Sequence, residues 1–233
     1  MKSLTRSLTL DLHVHTNHSH DGRDSVEDVI KSAIAKRLDG IAICDHNTLA
    51  GFHAARKYLA DHHLDLILIP GIEVRTSKGH LLVLGLEEEF KSDLSPEETI
   101  RIARQREEEQ KTPVVIIAPH PFHPFRHSIG NFCTQPGIDA IEIYNSRYIF
   151  GAANKLARMK AAWKKITAVA GSDAHSAEFV GLATVEVEVN AGNAQKPEEE
   201  AILREIKAGR VRLKDCNRTP FSVYFTQLCK KSR

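Results

Sequence analysis

Short apolar runs alternate along this chain with segments whose apolar residues recur at helical spacing. Residues 8–14, 40–44, 64–69, 81–86, 114–118, 140–144, 166–170 and 184–189 read as strands, rich in Val, Ile and Leu. Residues 25–37, 49–61, 95–111, 152–165 and 197–208 read as helices. In the first helix Val29, Ile30, Ala33 and Ile34 form the apolar stripe, and Ser25 with Asp28 makes a near capping box. Pro96 takes the first position of the third helix, and Gly209 closes the last. Pro70-Gly71 is expected to stop the third strand. The strands are continuously apolar rather than alternating, so both faces must be covered. That predicts parallel strands with helices on either side. The predicted fold is α/β, a single domain over residues 8–190 followed by a short C-terminal helix and strand appendage over 191–233. Residues 191–197 read as the surface loop between them.

At 233 residues the chain suits one α/β barrel-sized domain. With 42% hydrophobic and 27% charged residues it can bury a full core. A net charge of +2 gives no global basic field, so no stable nucleic-acid complex is expected. Residues 1–9 lack the apolar core of a signal peptide, and no apolar run is long enough to span a bilayer. The four cysteines, Cys44, Cys133, Cys216 and Cys229, are scattered without a C-x-x-C pair. Reduced thiols, a cytoplasmic location and no membrane partner are the expectation. The basic tail Lys230-Lys231-Ser232-Arg233 reads as a frayed terminus.

The chemistry lies at the strand ends. His13 and His15 stand two apart at the end of the first strand, where side chains share a face and can reach one ion. A polar loop follows, ending in Asp21-Gly22. Asp45-His46 follows the second strand, with His46 as candidate ligand and Asp45 as its orienter or as a helix cap. Glu73 lies among apolar residues, a costly place for a carboxylate unless it is paired or metal-bound. His80 precedes the fourth strand, His120 follows the fifth, and Asp173 and His175 follow the seventh. Imidazole and carboxylate are ligands of Zn, Mn and Fe. Their recurrence at one end of successive strands is how barrel enzymes build a site. His20 competes with Asp21 as a ligand, and Asp21 is preferred because carboxylates suit hard divalent ions. His18, His53, His62 and His63 are set aside.

The ordered set His13-Val14-His15, Asp21-Gly22, Cys44-Asp45-His46-Asn47-Thr48, Pro70-Gly71-Ile72-Glu73, Ala118-Pro119-His120-Pro121 and Gly171-Ser172-Asp173-Ala174-His175 resembles the motif series of the PHP (polymerase and histidinol phosphatase) family. The resemblance covers about residues 8–190. It implies a distorted (β/α)7 barrel, up to three metal ions and phosphoester hydrolysis. Carried over by position, His13, His15, Glu73 and Asp173 hold one ion. Glu73, His80 and His120 hold a second, with Glu73 bridging. Asp21, His46 and His175 hold a third. The chain departs from the pattern at Cys44, where the family has Thr, and at His20, where it has Ser. The short stretch between His80 and His120 resembles compact family members without the inserted domain linked to nucleotide and RNA substrates.

The resemblance implies two to three divalent ions, Zn, Mn or Fe, and a metal-activated hydroxide near Glu73 and Asp173 that attacks phosphorus in line. No general acid is assigned. Arg147, after the 140–144 strand, and Arg126 are expected to bind the phosphate of a small phosphorylated substrate or nucleotide. His123 and His127, in the loop after His120, are candidates for substrate contact or proton transfer, and Arg75 is a lesser candidate for phosphate. Two rival readings share the metal site: an amidohydrolase cleaving C–N bonds, and a non-catalytic metal-binding module. A lysine in the pocket would favour the first rival and a phosphate-binding arginine the phosphoesterase. The oligomeric state is left open.

Overall fold

Apolar strands buried on both faces need cover on each side, and the computed structural model, which describes residues 5–148, 151–190 and 199–221, provides it by curling one sheet around itself. The strands are β1 (Thr5–Val14), β2 (Gly40–Ile43), β3 (Ile67–Thr76), β4 (Gly79–Leu84), β5 (Val115–Ala118), β6 (Ala140–Asn145), β7 (Thr167–Gly171), β8 (Ala183–Asn190) and β9 (Val211–Cys216). They form a 9-stranded sheet in the order β7-β6-β5-β4-β3-β2-β1-β8-β9. The chain just past β7 returns to β1. Val14 bridges Ala174, and the His15 N–H donates to the Ala174 carbonyl at 2.8 Å. The result is a nearly closed, distorted α/β barrel in which the first and last histidine motifs lie side by side.

Two apolar layers follow from the period-two alternation. Inside the barrel, Leu8, Leu10 and Leu12 of β1 meet Ala42, Ile69, Leu82, Leu84, Ile117 and Val169. Outside it, Ile41, Ile43, Ile72, Val74, Val83 and Ile116 pack under the helices α1 (Val26–Ala35), α2 (Ala50–Asp61), α3 (Pro96–Gln110) and α4 (Ala152–Lys164). A fifth helix, α5 (Glu199–Lys207), sends Ile202, Leu203 and Ile206 into the inner layer. Leu203 approaches Gly85 beside Pro113, at the end where β5 begins. The helix therefore plugs the end opposite the histidine motifs.

The helix starts are as the sequence reads. Ser25 and Asp28 form a reciprocal capping box on α1, and the Ser95 side chain accepts from the Glu98 N–H at the start of α3. Ile34, expected in the stripe of α1, is exposed. The all-parallel expectation is corrected. β3 and β4 form an antiparallel hairpin, β4 pairs antiparallel with β5, and β8 pairs antiparallel with both β1 and β9. Only Ser77 and Lys78 separate β3 from β4, too few residues for the crossover a parallel pair needs. Pro70-Gly71 does not end β3 either. There the strand exchanges partners, from β2 at Pro70 to β4 at Gly71. Gly71 is required at that handover, because a Cβ would lie 2.8 Å from both Cys44 Sγ and the Ile43 carbonyl. Among the described residues no helix is long and apolar enough to cross a membrane. The loop expected at 191–197, the tail 230–233 and Cys229 lie outside the described residues.

Candidate metal centre

The ends of β1, β2, β5 and β7, with the hairpin of β3 and β4, bring His13, His15, Asp21, His46, Glu73, His80, His120, Asp173 and His175 into one cluster. Glu73 is its hub. Glu73 Oε2 lies 3.5 Å from His13 Nε2, 3.2 Å from His15 Nε2 and 3.1 Å from His46 Nδ1. Its other oxygen, Oε1, lies 2.8 Å from His80 Nδ1 and 3.1 Å from His120 Nε2. Asp173 Oδ1 is 3.9 Å from His13 Nε2 and 3.6 Å from His15 Nε2, and those two ring nitrogens are 3.1 Å apart. On the outer side, Asp21 reaches His175 Nε2 at 2.9 Å and His46 Nε2 at 3.4 Å. His46 thus faces Glu73 with one nitrogen and Asp21 with the other. His20 is exposed, its ring 5.0 Å from that of His46 between centroids.

These separations fit metal ligation. Four ligands placed tetrahedrally at about 2.0–2.2 Å from an ion are roughly 3.3–3.6 Å apart. The distances among His13, His15, Glu73 and Asp173 fall around that value. Four triads of donor atoms lie close enough to share an ion: His13, His15 and Asp173; His15, His46 and His175; His46, Glu73 and His80; and His20, Asp21 and His46.

A second layer of side chains orients the first. Glu142 on β6 is buried and accepts from His13 Nδ1 at 3.0 Å, from the His120 backbone N–H at 2.7 Å and from Asn145 Nδ2 at 2.9 Å. The bond to His13 directs the lone pair of Nε2 into the cluster. Ser19 Oγ does the same for His15, meeting Nδ1 at 3.0 Å while donating to Asp45 at 2.8 Å. Asp45 also accepts the Thr16 N–H and hydroxyl, both at 2.7 Å. It holds the loop after β1 and does not cap α2, whose N-cap is Leu49. Asp11 accepts backbone N–H groups of His13, Ser172 and Gly181, tying β1 to the β7 loop. Burial pushes its carboxyl up to about 6. The missing Cβ of Gly171 lets these layers meet, since it would lie 2.4 Å from Glu142 Oε1 and 2.6 Å from His13 Cβ. Asp173 and His120 both hold left-handed backbone, φ 52° and 31°. For non-glycine residues that is strain of a kind concentrated at functional sites.

The electrostatics are those of opposed charge in a largely buried site. Burial works against the charge on Glu73, but His80, His46 and His13 outweigh it and hold the carboxyl well below its usual range. Asp173 is likewise buried and held low, by Arg126, His13 and Arg147. Burial pulls His15 down to about 4. Burial and then Arg147 pull His175 to about 3.

Arg126 and Arg147 both reach the cluster. Arg126 Nη1 contacts Asp173 Oδ2, while Arg147 Nη1 lies 3.5 Å from Asp173 Oδ1 and 2.5 Å from His175 Nδ1. His123 is buried beside them, and burial followed by Arg126 lowers it to about 4. Arg75 turns elsewhere, pairing with Asp93 at 3.2 Å. Sequence reasoning overlooked Glu142, Asp11, Ser19 and Asn145. Glu142 and Asp11 did leave a signal, as carboxylates inside otherwise apolar strands. It also overlooked Phe125, which is 71% exposed next to Arg126.

Known proteins place this geometry. The model of the PHP domain matches residues 11–214, which extends through α5 into β9. An uncharacterized protein of Methanocaldococcus jannaschii is 32% identical over 160 residues, 64% of this chain and 89% of that protein. A phosphoribosyl 1,2-cyclic phosphate 1,2-diphosphodiesterase of Eggerthella lenta is 39% identical over 84 residues, 34% of this chain and 31% of its own length. The 5'-3' exoribonuclease Rnm of Salmonella typhimurium is 42% identical over 66 residues, 28% of this chain and 22% of its own. The chain thus spans under a third of either enzyme. Among solved structures, a two-domain Bacteroides vulgatus protein described as containing a predicted PHP-like metal-dependent phosphoesterase superposes with a TM-score of 0.70 at 17% identity, covering 91% of this chain and 66% of that one. PsfC of Pseudomonas syringae also scores 0.70, at 16% identity, covering 97% and 99%. With its histidines and carboxylates gathered at one mouth of a distorted barrel, the chain belongs to the PHP domain family.

Proposed function

We propose that this chain hydrolyses phosphomonoesters, nucleotides or short oligonucleotides, with two to three divalent ions, Zn, Mn or Fe, held by the cluster. His13, His15, Glu73 and Asp173 would hold one ion. Glu73, His80 and His120 would hold a second, and Asp21, His46 and His175 a third. Such ions polarise a phosphoryl oxygen and make water nucleophilic near neutral pH. The observation that carries the reading is the pair of guanidinium groups on Asp173, Arg126 and Arg147, beside the donors. A guanidinium fork matches phosphate oxygens and keeps its charge in a dry site. His123 is buried beside both guanidinium groups, and its Nδ1 accepts the Phe125 N–H at 3.4 Å. Among the described residues no lysine pairs with Glu73 or Asp173, which weighs against the amidohydrolase reading. The complete donor set weighs against a non-catalytic module.

The test is metal analysis of purified protein, then a screen of the metal-restored enzyme on sugar phosphates, amino-alcohol phosphates, nucleotides and amides. Phosphate release is the expected result. Amide cleavage with no phosphoester turned over would replace the proposal.

A further inference from the structure

The small net charge hides a separation of charge. Residues 145–172 and 216–233 contain no Asp or Glu and hold ten of the 32 cations, leaving 22 cations against 30 acidic residues in the remainder. The first run includes α4. Helices α1, α2, α3 and α5 pair cations with carboxylates along their own turns. Among the described residues no carboxylate pairs with Lys155, Arg158, Lys160, Lys164 or Lys165 of the α4 segment. The second run meets the first where Arg218 stacks on Tyr148, just ahead of α4, and on Phe221.

The same helix exposes apolar side chains in a row. Ala157 and Ala161 are buried against the sheet. The opposite face carries Leu156, Met159 and Trp163, which are 39%, 59% and 70% exposed. Their spacing of three and then four residues aligns them into a ridge about 10 Å long. Lys160 and Lys164 lie over the Trp163 ring at 5.6 and 4.5 Å from its centroid. Lys155 flanks the ridge on its other side. An exposed apolar stripe bordered by lysines, with a tryptophan in it, has the make-up of a helix lying in a bilayer interface.

We propose that α4 docks this protein onto an anionic lipid surface, with Leu156, Met159 and Trp163 entering the headgroup boundary and the flanking cations facing acidic lipid heads. A second copy of the chain is disfavoured, because the facing ridges would bring their cations together. A nucleic acid would use Trp163 but has no use for Leu156 and Met159, which offer no ring for a base to stack on. The acidic remainder of the molecule would be repelled, so docking is one-sided.

Trp163 is the sole tryptophan, so its emission reports on the ridge directly. The full chain is titrated with vesicles of phosphatidylcholine alone, with vesicles of phosphatidylcholine and phosphatidylglycerol, and with single-stranded oligouridylate. Sedimentation of the vesicles is measured in parallel. A blue shift and co-sedimentation with the anionic vesicles, reversed by salt and missing with phosphatidylcholine alone, is the expected result. The double variant Lys160→Glu/Lys164→Glu should lose at least roughly thirtyfold in partitioning, at about fivefold per cation removed, with an unchanged circular dichroism melt. Four results would each overturn the proposal: no shift with anionic vesicles, equal binding to both vesicle types, a shift with oligouridylate alone, or a shift that grows with protein concentration without lipid.

Discussion

Glu142→Gln isolates the contribution of the layer behind the donors. The substitution keeps the shape of the side chain but turns one acceptor oxygen into an NH2 donor. In wild type, Oε1 faces His13 Nδ1, while Oε2 accepts both the His120 N–H and Asn145 Nδ2. Placing the new NH2 toward the Oε2 partners would set it against two donors, so the amide should settle with NH2 toward His13. That contact recovers a hydrogen bond only if the His13 proton moves from Nδ1 to Nε2, the nitrogen 3.1 Å from His15 Nε2 and 3.5 Å from Glu73. A protonated Nε2 cannot ligate, so each binding event must reverse the tautomer and leave a buried donor facing a donor. A charge-assisted hydrogen bond is worth about 1.5–3 kcal/mol. The expected loss in affinity for the innermost ion is therefore roughly ten- to a hundredfold, the usual range for residues behind a metal ligand. Competition titration with a chromophoric chelator measures it, with circular dichroism to verify the fold. Wild-type affinity in a folded Glu142→Gln protein would refute the role assigned to Glu142.

Three further outcomes are expected. Glu73 meets five histidines and Asp21 two, so Glu73→Gln should cost more activity than Asp21→Asn in side-by-side rates with excess Mn²⁺; equal or reversed losses would move the bridge elsewhere. Arg126→Ala and Arg147→Ala should each lower kcat/KM on a phosphomonoester roughly ten- to a hundredfold without changing metal content, and retention of full kcat/KM by both would remove them from substrate binding. Gly71→Ala forces a methyl group against the Ile43 carbonyl and Cys44 Sγ, both 2.8 Å from the added Cβ; overpacking of about 1–3 kcal/mol should lower Tm by several degrees, and an unchanged Tm would mean that β3 can shift at no cost.

The candidate ligands were legible in the sequence because each belongs to a short motif at the end of an apolar run. The order of run and motif along the chain fixes which end of the strand carries the motif. Hence His13, His15, His46, His120, Asp173 and His175 could be assigned to one mouth before any fold was known. Helix starts were equally legible, since the Ser25 capping box and the Ser95-Pro96 start depend on residues within one turn. Strand direction was not. A run of apolar residues looks the same whichever way its neighbour points, and only the two-residue turn after Thr76 makes β4 antiparallel to β3. That reversal brings His80, at the start of its strand, to the end where the other motifs finish theirs. The supporting layer was hidden for a related reason. Glu142 lies 129 residues from His13 and Asp11 lies 170 from Gly181, so no local pattern joins them. The charge separation on α4 was written in the sequence, but whether Leu156, Met159 and Trp163 faced the core or solvent was not. Ala157 and Ala161 take the side against the sheet, because small residues let the helix approach it closely, and the larger apolar residues are left outside. Local chemistry comes from neighbours along the chain. Its convergence into one site comes from contacts between distant segments, which only the closed sheet supplies.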